Sequence, residues 1–316
     1  MRSRLLVADP ATGMLMALAA ALLWGTTGTA QSLLPSATSP LWVAALRVAG
    51  AALFFALLEH GRRWAGGGSA PAEPLLPLRA LWPGIALAGG SMALYNLAFF
   101  AGVKASGVAV GTAVAIGSGP VWAGLLQWLW TWRAPPALWW AGTLLAVTGG
   151  VLLASSGGGA PGLGLSPRGL LLCLTAGFSY ALYTVICQQL VATASPALVT
   201  RWVFTVASVV ALPVALASGG QSVSGAMGWA VVVYLGVVTT GVAYLLFSHA
   251  LRHIAAATGV TLALAEPVTA FLLAILVVNE RPALPAYAGG ALVLAGLLVV
   301  VWAERRRWRR SPGQAQ

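Results

Sequence analysis

Ionisable side chains are scarce in this chain, so each one that falls inside an apolar stretch is a candidate for chemistry. Glu266 lies in the middle of an uncharged run, and Arg47 and Arg201 lie inside two others. An ionised acid at the centre of a bilayer costs on the order of 3 kcal/mol. Glu266 must therefore be neutral, paired or wet. Pro267 beside it removes one helical hydrogen bond and loosens the backbone, as in the broken helices that build ion and substrate sites. Two readings of Glu266 stand together: a site for a coupling proton or a substrate amine, and a structural acid bonded to another helix. Arg47, seven residues after Pro40, is deep enough to meet a substrate carboxylate or to pair with a structural partner, while Arg201 either faces a cavity or snorkels to an interface.

The remaining reactive groups carry less. His249 and His253 titrate near neutral pH, but a headgroup-facing histidine is the plainer account. Cys173 and Cys187 share one apolar segment and read as small packing residues, not as a disulfide or metal ligands. Glu280 and Arg281 read as a surface charge pair. The pattern offers no nucleophile with its base, no facing acids, no metal set and no glycine-rich nucleotide loop, so neither an enzyme nor a cofactor is expected. An ion channel would want a filter or rings of charge, and the chain has neither.

These groups must be positioned by membrane helices. Of 316 residues, 59% are hydrophobic and 7% charged, against roughly 25% charged in a soluble domain. Cutting at charges, Pro and Gly clusters gives ten segments long enough to span: 14–34, 40–59, 80–103, 106–130, 136–154, 168–190, 196–217, 227–250, 255–278 and 284–303. The net charge of +11 would suit nucleic acid, yet the arginines at 305, 306, 307, 309 and 310 directly follow a spanning segment, where basic residues set orientation and meet anionic headgroups. With a cytoplasmic N-terminus, the inside holds Arg2, Arg4, Arg62, Arg63, Arg79, Arg133, Arg252 and the five terminal arginines, and the outside holds Lys104, Arg168 and Arg281. Both termini are thus expected in the cytoplasm, with the first helix retained rather than cleaved. Eight of the 14 tryptophans (Trp82, Trp128, Trp130, Trp132, Trp139, Trp140, Trp229 and Trp302) fall near segment ends and read as interface anchors.

The chain also repeats itself. At a shift of 147 positions Pro120 meets Pro267, Pro135 meets Pro282, Gly142 meets Gly289 and Gly149 meets Gly296. A looser match sets "SPLWVAALR" from Ser39 against "SPALVTR" from Ser195, placing Arg47 near Arg201. The expected fold is all-α integral membrane: ten transmembrane helices as two inverted five-helix repeats, residues 1–160 and 161–316. An odd number of helices per repeat inserts the second copy from the opposite side, the usual construction of secondary transporters.

The patterns "LLWGTTG", Ser-Pro followed by Arg, "AFFAGVKASGVAVGTAVAIGSGPVWAGLL" and "EPVTAFLLAILVVNERP" resemble the EamA family of the drug/metabolite transporter superfamily over nearly the whole chain. The resemblance implies a multi-pass carrier of the cytoplasmic (inner) membrane that exports amino acids or similar metabolites, with efflux of hydrophobic drugs as the alternative. It further implies a central cavity lined by Trp24, Tyr95, Phe99, Trp122, Tyr180 and Tyr244. Tyr95 and Phe99 share one helix face beside Asn96; Trp24, Thr27 and Gln31 form another stripe; on helix six Tyr180 is favoured over Tyr183. Cavity lining and helix packing both suit these faces. The partners expected are a small-molecule substrate and the lipid bilayer, without nucleic acid, for a monomer or weak homodimer.

Overall fold

The computed structural model describes residues 9–35, 37–64, 76–156, 166–277 and 282–310. Arg2, Arg4, Glu280, Arg281 and the division expected at 160/161 lie outside them, as do the side chains of Arg62, Arg63, Arg309 and Arg310. The described residues are helical throughout, with one isolated bridge between Thr38 and Gln221. The elements in order are α1 Pro10–Gly25, α2 Thr27–Gln31, α3 Pro40–Trp64, α4 Leu78–Ser106, α5 Val108–Thr131, α6 Ala137–Ser156, α7 Pro167–Thr193, α8 Pro196–Ser218, α9 Gly225–Tyr234, a π-helical segment Leu235–Val242, α10 Ala243–Ala250, α11 Ala256–Leu262, α12 Ala265–Leu276 and α13 Leu284–Arg310. Among the described residues nine helices or runs of joined helices are long and apolar enough to cross a membrane; α5 adds a further helix of 24 residues.

Local sequence explains the helix starts. Proline stands at the first position of α1, α7 and α8, where its missing N–H costs nothing. Ser166 and Ser195 cap α7 and α8 by accepting the N–H of Gly169 and Leu198. Asp9 caps α1 through the N–H groups of Ala11 and Thr12. The hydrogen bond from the Thr12 hydroxyl, with these N–H bonds, holds the Asp9 carboxyl below its ordinary value.

Three expected spans are interrupted. The first helix stops at Gly25 and resumes as the short α2, because the Thr26 hydroxyl turns back onto the Leu23 carbonyl at 2.7 Å and meets Tyr234 Oη at 2.8 Å. The eighth contains the π-helical turn, where Thr239 and Thr240 both donate to the Leu235 carbonyl. The ninth breaks at Ala263–Leu264. Pro267 has no N–H for the Ala263 carbonyl, which instead accepts the tighter bond from Glu266 N at 2.9 Å.

Small residues set the closest packing. A Cβ on Gly149 would lie 2.5 Å from Val293 N, and one on Gly142 would lie 2.9 Å from Gly296 O, so α6 and α13 meet backbone to backbone. Helix α4 packs along α7 and α8, α1 against α10 and α12, α5 against α7, and α3 against α8 and the π segment. Trp82, Trp128, Trp130, Trp132, Trp229 and Trp302 are exposed, as anchors should be. Trp139 is not. It is 2% exposed and fills the space left by Gly124, where a Cβ would lie 3.0 Å from its ring. Cys173 and Cys187 are free and buried on α7.

Candidate functional site

Among the described residues a cavity of about 980 Å³ lies between the helices, the size of a site for a drug-sized ligand. Its walls come from the last turn of α1, from α2, from the first two turns of α3, from the last turns of α4 and α6, from the first turns of α5 and from α12, with Tyr180 of α7, Tyr244 of α10 and Val260 of α11 at its inner end. The far end of the bundle carries the start of α1 and the end of α13, joined through contacts of Asp9 with His253 and of Glu304 with Thr258. Between that end and the cavity, Met14, Ala17, Tyr183, Cys187, Leu190, Phe247 and Leu251 form a sealed apolar layer.

Of the residues singled out from sequence, Trp24, Tyr95, Phe99, Tyr180, Tyr244, Arg47 and Glu266 all line this cavity, with Thr27, Gln31 and Asn96. The aromatic rings form one continuous wall: Trp24 lies 4.9 Å from Tyr244 and 6.3 Å from Tyr180, and Tyr95 lies 5.3 Å from Tyr180 and 6.0 Å from Phe99. Tyr183 is fully buried behind Tyr180. Among the described residues, the buried Trp24 indole N–H and Tyr180 hydroxyl have no hydrogen-bond partner.

Trp122 lies elsewhere. It packs edge-on against Phe178 at 5.5 Å and beside the Trp139 cluster. Thr112, Ala115 and Ile116 turn one face of α5 to the cavity. Trp122 lies six residues beyond Ile116, about 9 Å farther along α5, past the stretch that lines the cavity.

Arg47 reaches the cavity from the second turn of α3. Its Nε donates to Thr240 Oγ1 at 3.1 Å, leaving the two terminal nitrogens without a protein partner among the described residues. Thr240 is presented by the π-helical turn, which packs on α3 so closely that a Cβ on Gly236 would lie 3.0 Å from the Gly50 Cα. Glu266 enters from the first turn of α12, whose backbone abuts α1: a Cβ on Gly25 would lie 2.8 Å from the Glu266 carbonyl. No ion pair joins Arg47 and Glu266 among the described residues. Arg201 has no part in the cavity; it is paired with Glu59 of α3 at the far end. His249 and His253 also lie at that end, with His249 Nδ1 on the Leu245 carbonyl.

A cavity walled by several helices and sealed toward one end of a membrane bundle is the geometry of a carrier. A family model for EamA-like transporters matches residues 11–155 and, a second time, residues 167–302. The chain belongs to the EamA-like transporter family. This EamA-like chain is 35% identical over 299 residues to the uncharacterized transporter YwfM of Bacillus subtilis (strain 168), covering 93% of this chain and 95% of that protein. It is 31% identical over 136 residues to an uncharacterized transporter of Archaeoglobus fulgidus, covering 43% of this chain and 48% of the other. A crystal structure of a protein 23% identical in sequence has the same fold, with a TM-score of 0.77 over 94% of this chain and 99% of that one.

Sequence reasoning missed Thr240 and Phe271. The signal for Phe271 was present: Glu266, Ala270 and Ala274 recur every four residues with Pro267 and Phe271 beside them, and all five line the cavity. A π-helical turn has no comparable periodic mark.

Proposed function

We propose that this EamA-like transporter exports small zwitterionic metabolites, amino acids foremost, across the cytoplasmic membrane, by alternating access between two inverted five-helix halves with both termini in the cytoplasm. The observation that carries the cargo reading is the pair of opposite charges facing one aromatic cavity without bonding each other. The terminal nitrogens of Arg47 suit a carboxylate bound in bidentate fashion. Glu266 suits the amine or, when the amine has left, a proton. The aromatic wall suits the apolar body between them.

Support for the inverted halves comes from reciprocal contacts. Gly142 meets Gly296 while Gly149 meets Gly289, and each residue of one pair stands 147 positions from a residue of the other, as at a two-fold interface. Likewise Gly236 approaches the Arg47 carbonyl and Gly50, while Gly89 approaches the Val203 carbonyl and Val206. In that register the counterpart of Arg47 is Val203, not Arg201. Arg47 and Glu266 are both single-copy charges, since Gly119 stands opposite Glu266 in the repeat.

The test is counterflow in proteoliposomes against amino acids, nucleosides and cationic dyes, with Glu266→Gln and Tyr95→Ala alongside. Exchange of amino acids that falls at least tenfold in Glu266→Gln, by loss of a charge-assisted contact, is expected. A folded protein that exchanges none of these solutes would sink the carrier reading. The cavity's volume favours one alternative, a bulky hydrophobic compound; exchange confined to the dyes would select it.

A further inference from the structure

Buried polar ties gather at the end of the molecule away from the cavity mouth, around the turn after α10 and the seven-residue α11. Every residue of α11 is buried, and the neighbouring helices all reach this stretch. From α7, Gln188 Nε2 donates to the Ile254 carbonyl at 2.7 Å, and Arg252 Nε donates back to the Val191 carbonyl at 3.1 Å. From α5, Gln127 Oε1 accepts the Ala257 N–H at 3.0 Å, and from α13 Glu304 Oε2 accepts the Thr258 hydroxyl at 2.7 Å. Helix α1 closes over it, with Gly13 so near that a Cβ would lie 2.6 Å from His253 Cβ.

A helix this short, read Ala-Ala-Thr-Gly-Val-Thr-Leu, is not stable by itself, and its first N–H groups have no partner inside it. Gln127 supplies an acceptor for one of them, the Ala257 N–H, and Glu304 ties the helix to α13 through the Thr258 hydroxyl. Glu304 is 7% exposed and turned inward, while its neighbours Arg305, Arg306 and Arg307 face out. Neither residue lines the cavity. At its other end α11 is joined to α12 through Ala263 and Leu264, the latter two residues before Glu266, where the regular helix is interrupted.

We infer that residues 251–262 are the gate closing the cavity from the terminal face, and that Glu304 and Gln127 are positioning residues holding it shut. The inference rests on the alternating-access reading above, but its test needs no substrate. Cys187 is the reporter: it is 1% exposed, beside Gln188 on α7, between the cavity residue Tyr180 and the gate. In the full chain carrying Cys173→Ala, reconstituted in nanodiscs, the rate of Cys187 modification by a membrane-impermeant maleimide is measured.

Glu304→Ala combined with Gln127→Ala raises that rate roughly tenfold, as loss of two ordinary hydrogen bonds should. Thr258→Val alone raises it by a smaller factor, and Glu304→Gln, which retains an acceptor for Thr258, stays near the wild-type rate. Cys173, measured in a Cys187→Ser background, stays unreactive in all of them. Unchanged Cys187 labelling in both the double variant and Thr258→Val overturns the gate, and so does a parallel rise at Cys173, which marks general loosening. Absent counterflow beside altered Cys187 labelling would sink the cargo reading and leave the gate standing.

Discussion

Arg47 can be tested through what its geometry demands of a ligand. Thr240 holds Nε and leaves the two terminal nitrogens side by side, so a carboxylate should be gripped by two parallel bonds that a lysine cannot reproduce. Arg47→Lys is expected to raise the KM for a carboxylate-bearing substrate roughly tenfold with little change in maximal rate. The matching decarboxylated amine should be unaffected, and counterflow titrations of the two compounds check this. Thr240→Val keeps the shape and removes the acceptor, and a smaller rise in KM is expected. Trp122 supplies the contrast: turned toward Phe178 and away from the cavity, it should tolerate Trp122→Phe without a change in transport, whereas Tyr95→Ala opens the wall and lowers it.

Among the elements, α6 and α13 make the tightest demand. Their backbones touch at Gly149 and Gly289, where a Cβ on Gly149 would lie 2.5 Å from Val293 N and 2.6 Å from Gly289 O. Backbone cannot retreat from such contact without parting the helices, and helix association in lipid depends on that close approach. Gly149→Leu should therefore abolish recovery of folded protein, while Gly150→Leu, with nothing within 4 Å of its Cβ, should leave it intact; the size-exclusion profile in detergent distinguishes them. The interrupted elements are the other lesson at this scale. The breaks beside Thr26 and at Ala263–Leu264 border the cavity, while the π turn at 235–242 is largely buried in protein and reaches the site only through the bond between Thr240 and Arg47. Irregular backbone at membrane depth is tolerated where it lines a cavity or is buried in protein.

In the whole molecule the two matched stretches of chain do not form separate bodies. Helix α1 packs on α10 and α12, and α4 on α7 and α8, so helices of one stretch find main neighbours in the other. Residues 1–160 expressed alone should be degraded. Co-expression with residues 161–316 should restore both parts to the membrane and recover counterflow, as quantitative immunoblotting and transport assays would register.

The sequence by itself determined that the chain is a bundle of membrane helices, because uncharged runs of spanning length admit little else in lipid, and its motifs carried the resemblance to a transporter family. The resemblance pointed to Trp24, Tyr95, Phe99, Tyr180 and Tyr244, and depth within uncharged runs to Arg47 and Glu266, all of which line the cavity. Tertiary structure decided which face each helix turns. It set Trp122 against Phe178 and the Trp139 cluster and Tyr183 behind Tyr180, paired Arg201 with Glu59 at the far end, buried Trp139 against Gly124, and brought Thr240 to Arg47 through a π turn. The reason is physical. In helices apolar on every side the hydrophobic pattern carries no facing signal, and helix rotation follows from where glycines let backbones meet and where prolines break them.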